Sequence, residues 1–175
     1  SRILREYNIK HCLAFGSLLG AVRHKGFIPW DDDFDFFIFD EDYENAIQVL
    51  EINLSKNLVV HSKKNDKKYY HSWNRVKDIS TEVEYRSFYQ EDNMKLNFKC
   101  LGIDLYRLKL LRKDEIQTYL EFEAENFWKR KFDLNLINKD QYLISDIHIK
   151  AYVQTKLSLF NLEKTRNWEL FRFCI

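Results

Sequence analysis

Apolar and polar positions alternate along this chain with two different periods. Between positions 33 and 39 the period is two. Asp33 and Asp35 fall on one side of a strand, and Phe34, Phe36 and Ile38 fall on the other, core-facing side. Upstream, Ile3, Leu4 and Tyr7 recur at helical spacing, 11–15 reads as a short strand, Gly16-Ser17 turns the chain, and 18–23 reads as a short helix. Downstream, Tyr43, Ala46, Ile47 and Leu50 mark one face of a helix over 41–50. Strand-like runs come next at 58–61, 69–76, 82–89 and 96–108, with a polar turn at 63–68. From Asp114 the period lengthens. Ile116, Tyr119, Leu120 and Phe127 predict one helix, and 139–160 a second. Mixed strands early and helices late predict an α+β domain. It would occupy residues 1–175 as one domain, with a core at 1–110 and a helical part at 111–175.

Composition supports a packed interior. Hydrophobic residues make up 45% of the 175, including 14 Phe, 10 Tyr and 4 Trp, so disorder is not expected. With 28 basic and 27 acidic residues the net charge is +1, and no basic stripe is visible. A nucleic-acid partner is therefore not expected. No apolar run nears the ~20 residues needed to span a bilayer. Cys12, Cys100 and Cys174 show neither zinc spacing nor a disulfide framework, and read as reduced, buried thiols. The chain opens on Ser1 and ends Phe173-Cys174-Ile175, and reads as a fragment.

Charge becomes informative locally. Asp31, Asp32, Asp33 and Asp35 crowd into five positions beside Phe34, Phe36 and Phe37. Like charges this close repel, and burial sharpens the repulsion. A divalent cation relieves it, and Mg²⁺ or Mn²⁺ takes hard oxygen ligands of this kind. The bland alternative is a solvated acidic turn with Asp31 or Asp32 as a cap. Upstream, Gly16-Ser17 lies between the first strand and a short helix. Amides at a helix start suit a phosphate, Gly16 permits close approach, and the Ser17 hydroxyl can donate or cap. Arg23, His24 and Lys25 add cationic groups just beyond. A plain helix cap and a solvated basic face remain the alternatives.

The unbroken run Phe15-Gly16-Ser17-Leu18-Leu19-Gly20-Ala21-Val22-Arg23-His24-Lys25-Gly26-Phe27-Ile28-Pro29-Trp30-Asp31-Asp32-Asp33-Phe34-Asp35 closely resembles the signature of the LicD family. That family includes bacterial phosphocholine transferases and is related to the fukutin-type transferases of eukaryotes. The resemblance implies a nucleotidyltransferase-like mixed sheet flanked by helices. It implies that Gly16 and Ser17 form the phosphate-side turn and that Asp33 and Asp35 are paired metal ligands, with Asp31 as a further acid. The family's third carboxylate matches Asp104, in Gly102-Ile103-Asp104-Leu105-Tyr106. There the frequent Phe-Pro of the family is replaced by Tyr106-Arg107. A weaker likeness over Arg75-Val76-Lys77-Asp78-Ile79-Ser80-Thr81 suggests that Lys77 contacts donor phosphates. An exposed, salt-bridging lysine is the alternative.

The activity expected from this resemblance is a metal-dependent transfer. Asp33, Asp35 and Asp104 would hold Mg²⁺ or Mn²⁺ against the diphosphate of a CDP-linked alcohol such as CDP-choline. Gly16, Ser17 and Arg23 would hold phosphate oxygens, and Asp104 would accept the proton of a hydroxyl on a cell-surface glycan. The protein would be cytoplasmic or peripheral at the inner face of the membrane. Two rivals stand: a nucleotidyltransferase that uses an NTP and releases pyrophosphate, and an inactive glycan- or nucleotide-binding relative.

Overall fold

The computed structural model describes residues 1–31, 33–83, 100–112, 114–135, 137, 139–143, 149–150 and 154. Their elements run α1 (Arg2–Glu6), β1 (His11–Leu13), α2 (Phe15–Arg23), β2 (Asp35–Phe39), α3 (Asp40–Asn53), β3 (Leu58–His61), β4 (Asn74–Asp78), β5 (Gly102–Leu108), α4 (Ile116–Asp133) and α5 (Lys139–Leu143). The chain divides into two compact units, 1–69 with 73–109 and 70–72 with 110–175.

The first unit is a five-stranded mixed sheet in the order β1-β2-β5-β4-β3. β1 pairs antiparallel with β2, β2 parallel with β5, and β5 and β3 each antiparallel with β4. Register gives the sheet two unlike faces. Phe36 stands beside Leu105, Ile103 beside Val76, and Val76 beside Val60. These residues, with Ile38, meet Leu4 and Ile9 and the Tyr43, Ala46, Ile47 and Leu50 face of α3 in the hydrophobic core. α3 begins at the end of β2 with Asp40, Glu41 and Asp42 in its first turn, which suits the positive end of its dipole.

One phenol fixes α3 to the sheet. The Tyr43 hydroxyl donates to the Leu105 carbonyl (2.6 Å) and accepts the Asn74 N–H (3.0 Å). Beside it, Arg107 of β5 pairs with Asp40 (2.9 Å) and with Glu44.

The expected strand at 69–76 is replaced by a shorter one. Residues 69–73 turn instead: the Tyr69 N–H donates to the Asp66 carbonyl (3.0 Å) and its hydroxyl to the Trp73 carbonyl (2.7 Å). The strand expected at 11–15 ends at Leu13, and Phe15 opens α2 instead. The 63–68 turn holds more than polarity. Asp66 is buried and sits 2.9 Å from the equally buried His61 Nε2. Most of the strand expected at 82–89, the start of the one expected at 96–108 and much of the helix expected at 139–160 lie outside the described residues, as does Cys174. Cys12 is exposed on β1 rather than buried, while Cys100 is buried, and both are free thiols.

The described elements of the second unit are the helices α4 and α5. Ile116, Leu120 and Ala124 of α4 form a small core with Ile149, against which Leu111 and Trp128 pack. No helix among the described residues is long and apolar enough to cross a membrane.

Candidate active site

The face of the sheet turned away from the core carries the chemistry. Side chains two apart on a strand share a face. Opposite the core residues therefore stand Asp35 and Phe37 on β2, Asp104 and Tyr106 on β5, Arg75 and Lys77 on β4, and His61 on β3. Register sets them in rows. Asp35 is the Cα partner of Asp104, Asp104 of Arg75, and Arg75 of His61.

Local structure explains why Asp35 is held so firmly. Its N–H donates to the Ser17 hydroxyl (2.9 Å), and its carbonyl accepts the Ala14 N–H (2.9 Å). Both backbone groups are thus tied by residues at the head of α2. That head is strained: Phe15 has φ 43°, a left-handed conformation that L side chains seldom adopt. Ring contacts hold it there, edge-on to Phe37 (4.8 Å between centroids) and to Tyr106 (5.1 Å). Gly16 lets the Asp31 carboxylate lie close against the head of α2. A Cβ there would lie 2.4 Å from Asp31 Oδ2. The Gly-Ser pair is the second and third residue of α2, not a turn preceding it.

The acids lie together. Asp35 is only 4% exposed, and its Oδ1 has no hydrogen-bond partner. Burial, then Asp33, Asp104 and Asp31, pushes its pKa up to about 7. A buried carboxyl beside three other carboxyls thus holds its proton until near neutrality. Asp33 is exposed and lies two residues before β2 opens at Asp35, and Asp31 sits against Gly16. Asp32 lies outside the described residues.

Asp104 is in a different state from Asp35. Its Oδ2 accepts from Trp73 Nε1 (2.8 Å), Arg75 Nη2 (3.1 Å) and the Tyr106 hydroxyl (3.2 Å). Its Oδ1 lies 2.7 Å from Arg75 Nε. Burial, then the nearby Asp104 and Asp35 charges, holds the Tyr106 phenol well above its ordinary pKa, so it remains a donor. On β3, burial keeps the His61 imidazole below its ordinary value despite Asp66 beside it.

Lys77 lies two residues along β4 from Arg75 and is buried at 5% exposure. Its ammonium donates to the Cys100 carbonyl (2.9 Å), and its stem fills the place of a Gly102 side chain, where a Cβ would lie 2.6 Å from Lys77 Cδ. Arg23 is exposed in the last turn of α2, about 10 Å along the axis from Gly16 at 1.5 Å per residue. The structure thus gathers Gly16, Ser17, Asp31, Asp33, Asp35 and Asp104, with Arg23 at the far end of α2. Trp73, Arg75 and Tyr106 were not singled out as site residues by sequence reasoning. The signal that finds them is strand register, which places Arg75 and Tyr106 beside Asp104.

The carboxylates of the site are of the type that could hold a divalent cation. They offer hard oxygens, one of them buried and unpartnered, whose mutual repulsion such an ion would relieve. The ligand set is not closed as it stands. Among the described residues no group of three or more His, Cys, Asp or Glu is poised to hold a metal. Asp104 is turned to Arg75.

A mixed sheet with a helix-head Gly-Ser pair against paired strand acids is the architecture of a nucleotidyltransferase domain. The family model described as LicD/FKTN/FKRP, nucleotidyltransferase domain, matches residues 8–107, and the chain belongs to that family. It is similar to the lipopolysaccharide cholinephosphotransferase LicD of Haemophilus influenzae, 45% identical over 47 residues that make up 27% of this chain and 18% of that protein. It is also similar to the ribitol 5-phosphate transferase FKRP of Mus musculus, 45% identical over 47 residues, 27% of this chain and 10% of that protein. An uncharacterized protein of Rickettsia prowazekii is 50% identical over 48 residues, 27% of this chain and 18% of that one. The matched stretch thus spans less than a fifth of each of these relatives.

Proposed function

We propose that this chain transfers a phosphorylated alcohol, of the phosphocholine or ribitol phosphate kind, from a CDP-linked donor to a hydroxyl of a cell-surface glycan. The observation that supports this best is the side-by-side register of Asp35 and Asp104, with one Asp35 oxygen buried and unpartnered. Asp33 and Asp35 would hold Mg²⁺ or Mn²⁺, with Asp31 and Asp104 as further acids. The ion would offset phosphate charge as the bond order changes.

The chain's own residues do the positioning. The Ser17 hydroxyl fixes the Asp35 backbone, and the start of α2 offers amides to a phosphate oxygen. The acceptor oxygen bonds to the distal phosphorus of the donor, the bond from that phosphorus to the CMP oxygen breaks, and CMP leaves. The hydroxyl proton passes to a carboxylate of the site that the ion does not fully engage.

The test is product analysis with CDP-choline or CDP-ribitol, Mn²⁺ and a glycan acceptor. Release of CMP matched to acceptor modification is expected. Asp35→Asn should lower the rate about a thousandfold, or ~4 kcal/mol of barrier, with the fold intact. Pyrophosphate released from an NTP would favour a nucleotidyl transfer instead. No product in either assay would leave a binding protein.

A further inference from the structure

The geometry points to Arg75 as the resident counter-cation of the acid cluster and as a phosphate-binding residue, so that a bound metal ion and Arg75 compete for Asp104 until a donor phosphate separates them. This rests on the transferase reading, and extends it to a residue that the signature run does not contain.

The donors around Asp104 create the competition. Three hydrogen bonds converge on Oδ2, from Trp73, Arg75 and Tyr106, and the Arg75 Nε stands 2.7 Å from Oδ1. A carboxylate offers about four lone pairs. Oδ2 is therefore fully used, and an ion bound at Oδ1 would meet the guanidinium at the same oxygen. Arg75 is permanently charged, so it cannot yield by losing a proton. It must move, or an anion must come between the two cations.

Three features place Arg75 to do this. It lies on the site face, in the same row as Asp104 and Asp35. Its side chain keeps 20% exposure, more than the 12% of Asp104, so it is not sealed beneath its neighbours. Its guanidinium also lies 5.8 Å from the Trp73 ring, a surface over which it can shift without losing its electrostatic support. A diphosphate supplies the missing negative charge. Arg75 then binds phosphate oxygens through its planar fork while Asp104 turns to the ion. Metal and donor thus favour each other's binding, and the coupling is reciprocal.

The experiment uses the full chain and two probes measured separately. Mn²⁺ alone is titrated by electron paramagnetic resonance, and inorganic pyrophosphate alone by calorimetry in metal-free buffer. For Arg75→Gln the two affinities should move in opposite directions. Mn²⁺ should bind about tenfold more tightly, and pyrophosphate about tenfold more weakly, within the usual range of coupling between sites. Arg75→Lys keeps the charge and should change the Mn²⁺ affinity little. Arg75→Met, which keeps the stem over Trp73, serves if the Gln variant does not fold. A purely structural arginine would weaken both probes or neither, and either pattern overturns the inference. If wild-type protein binds Mn²⁺ and Asp35→Asn does not, the transferase reading survives that outcome. If no variant binds Mn²⁺ at all, both fall together.

Discussion

The two faces of one sheet are buried alike but built from unlike side chains. On the α3 side, Ile38, Val60, Val76 and Leu105 are all 8% exposed or less and belong to one apolar cluster. One residue along each strand, the other side carries Phe37, His61, Lys77 and Asp104, each 9% exposed or less. Burial is similar, but the means of stabilisation are not. The first face gains from removing apolar area from water. The second must satisfy each charge individually. Asp104 has Arg75, Trp73 and Tyr106, and Lys77 has the Cys100 carbonyl, while Asp35 keeps one oxygen unpartnered. The contrast teaches where to look for function. The buried Asp35 oxygen left without a partner marks the site, and the charges paired around it are those a ligand would have to rearrange.

Three perturbations can break this contrast, taken from the largest effect to the smallest. Ile38→Ala opens a cavity on the apolar face and should lower stability by about 3–4 kcal/mol in urea unfolding. Its transfer rate per folded molecule should stay near that of the wild type. A large loss of specific activity without a loss of stability would show that the faces are not separable.

The second perturbation is pH. The folded Asp35 carboxyl keeps its proton up to about 7, while the unfolded one loses it near 3.8. Between those values the folded state binds more protons than the unfolded state. Stability of metal-depleted protein should therefore fall as pH rises through that window and level off above it. Asp35→Asn should flatten this part of the pH profile, and an unchanged profile would remove Asp35 as its source. The third is Ser17→Ala, which deprives the buried Asp35 N–H of its acceptor and should cost about 1–2 kcal/mol of stability.

The alternation around Asp35 was readable from sequence because period-two patterning has a local cause. The same holds for Leu58–His61, which forms the expected strand, and for the α3 face built on Tyr43 and Ile47. Placement of Asp104 came from resemblance, and the register of β5 against β2 puts it beside Asp35. Local patterning could not reveal anything created by pairing between distant strands. Arg75 reads as one more basic residue until β4 lies against β5. Lys77 reads as a free cation until Gly102 leaves space for its stem and Cys100 offers a carbonyl. Residues 69–73 carry strand-forming side chains, yet the chain turns there because Tyr69 bonds to Asp66 and Trp73.

The position of β5 has a consequence for how the protein comes to exist. It enters the sheet between β2 and β4, after both have been synthesised. Until it arrives, β1-β2 and β3-β4 are separate ribbons, each with an open inner edge ready to recruit a neighbouring chain. β5, the last strand among the described residues, both seals those edges and delivers Asp104. A nascent chain that stops short of residue 102 therefore lacks the acid pair and keeps two sticky borders, so competence and protection from aggregation arrive in one step.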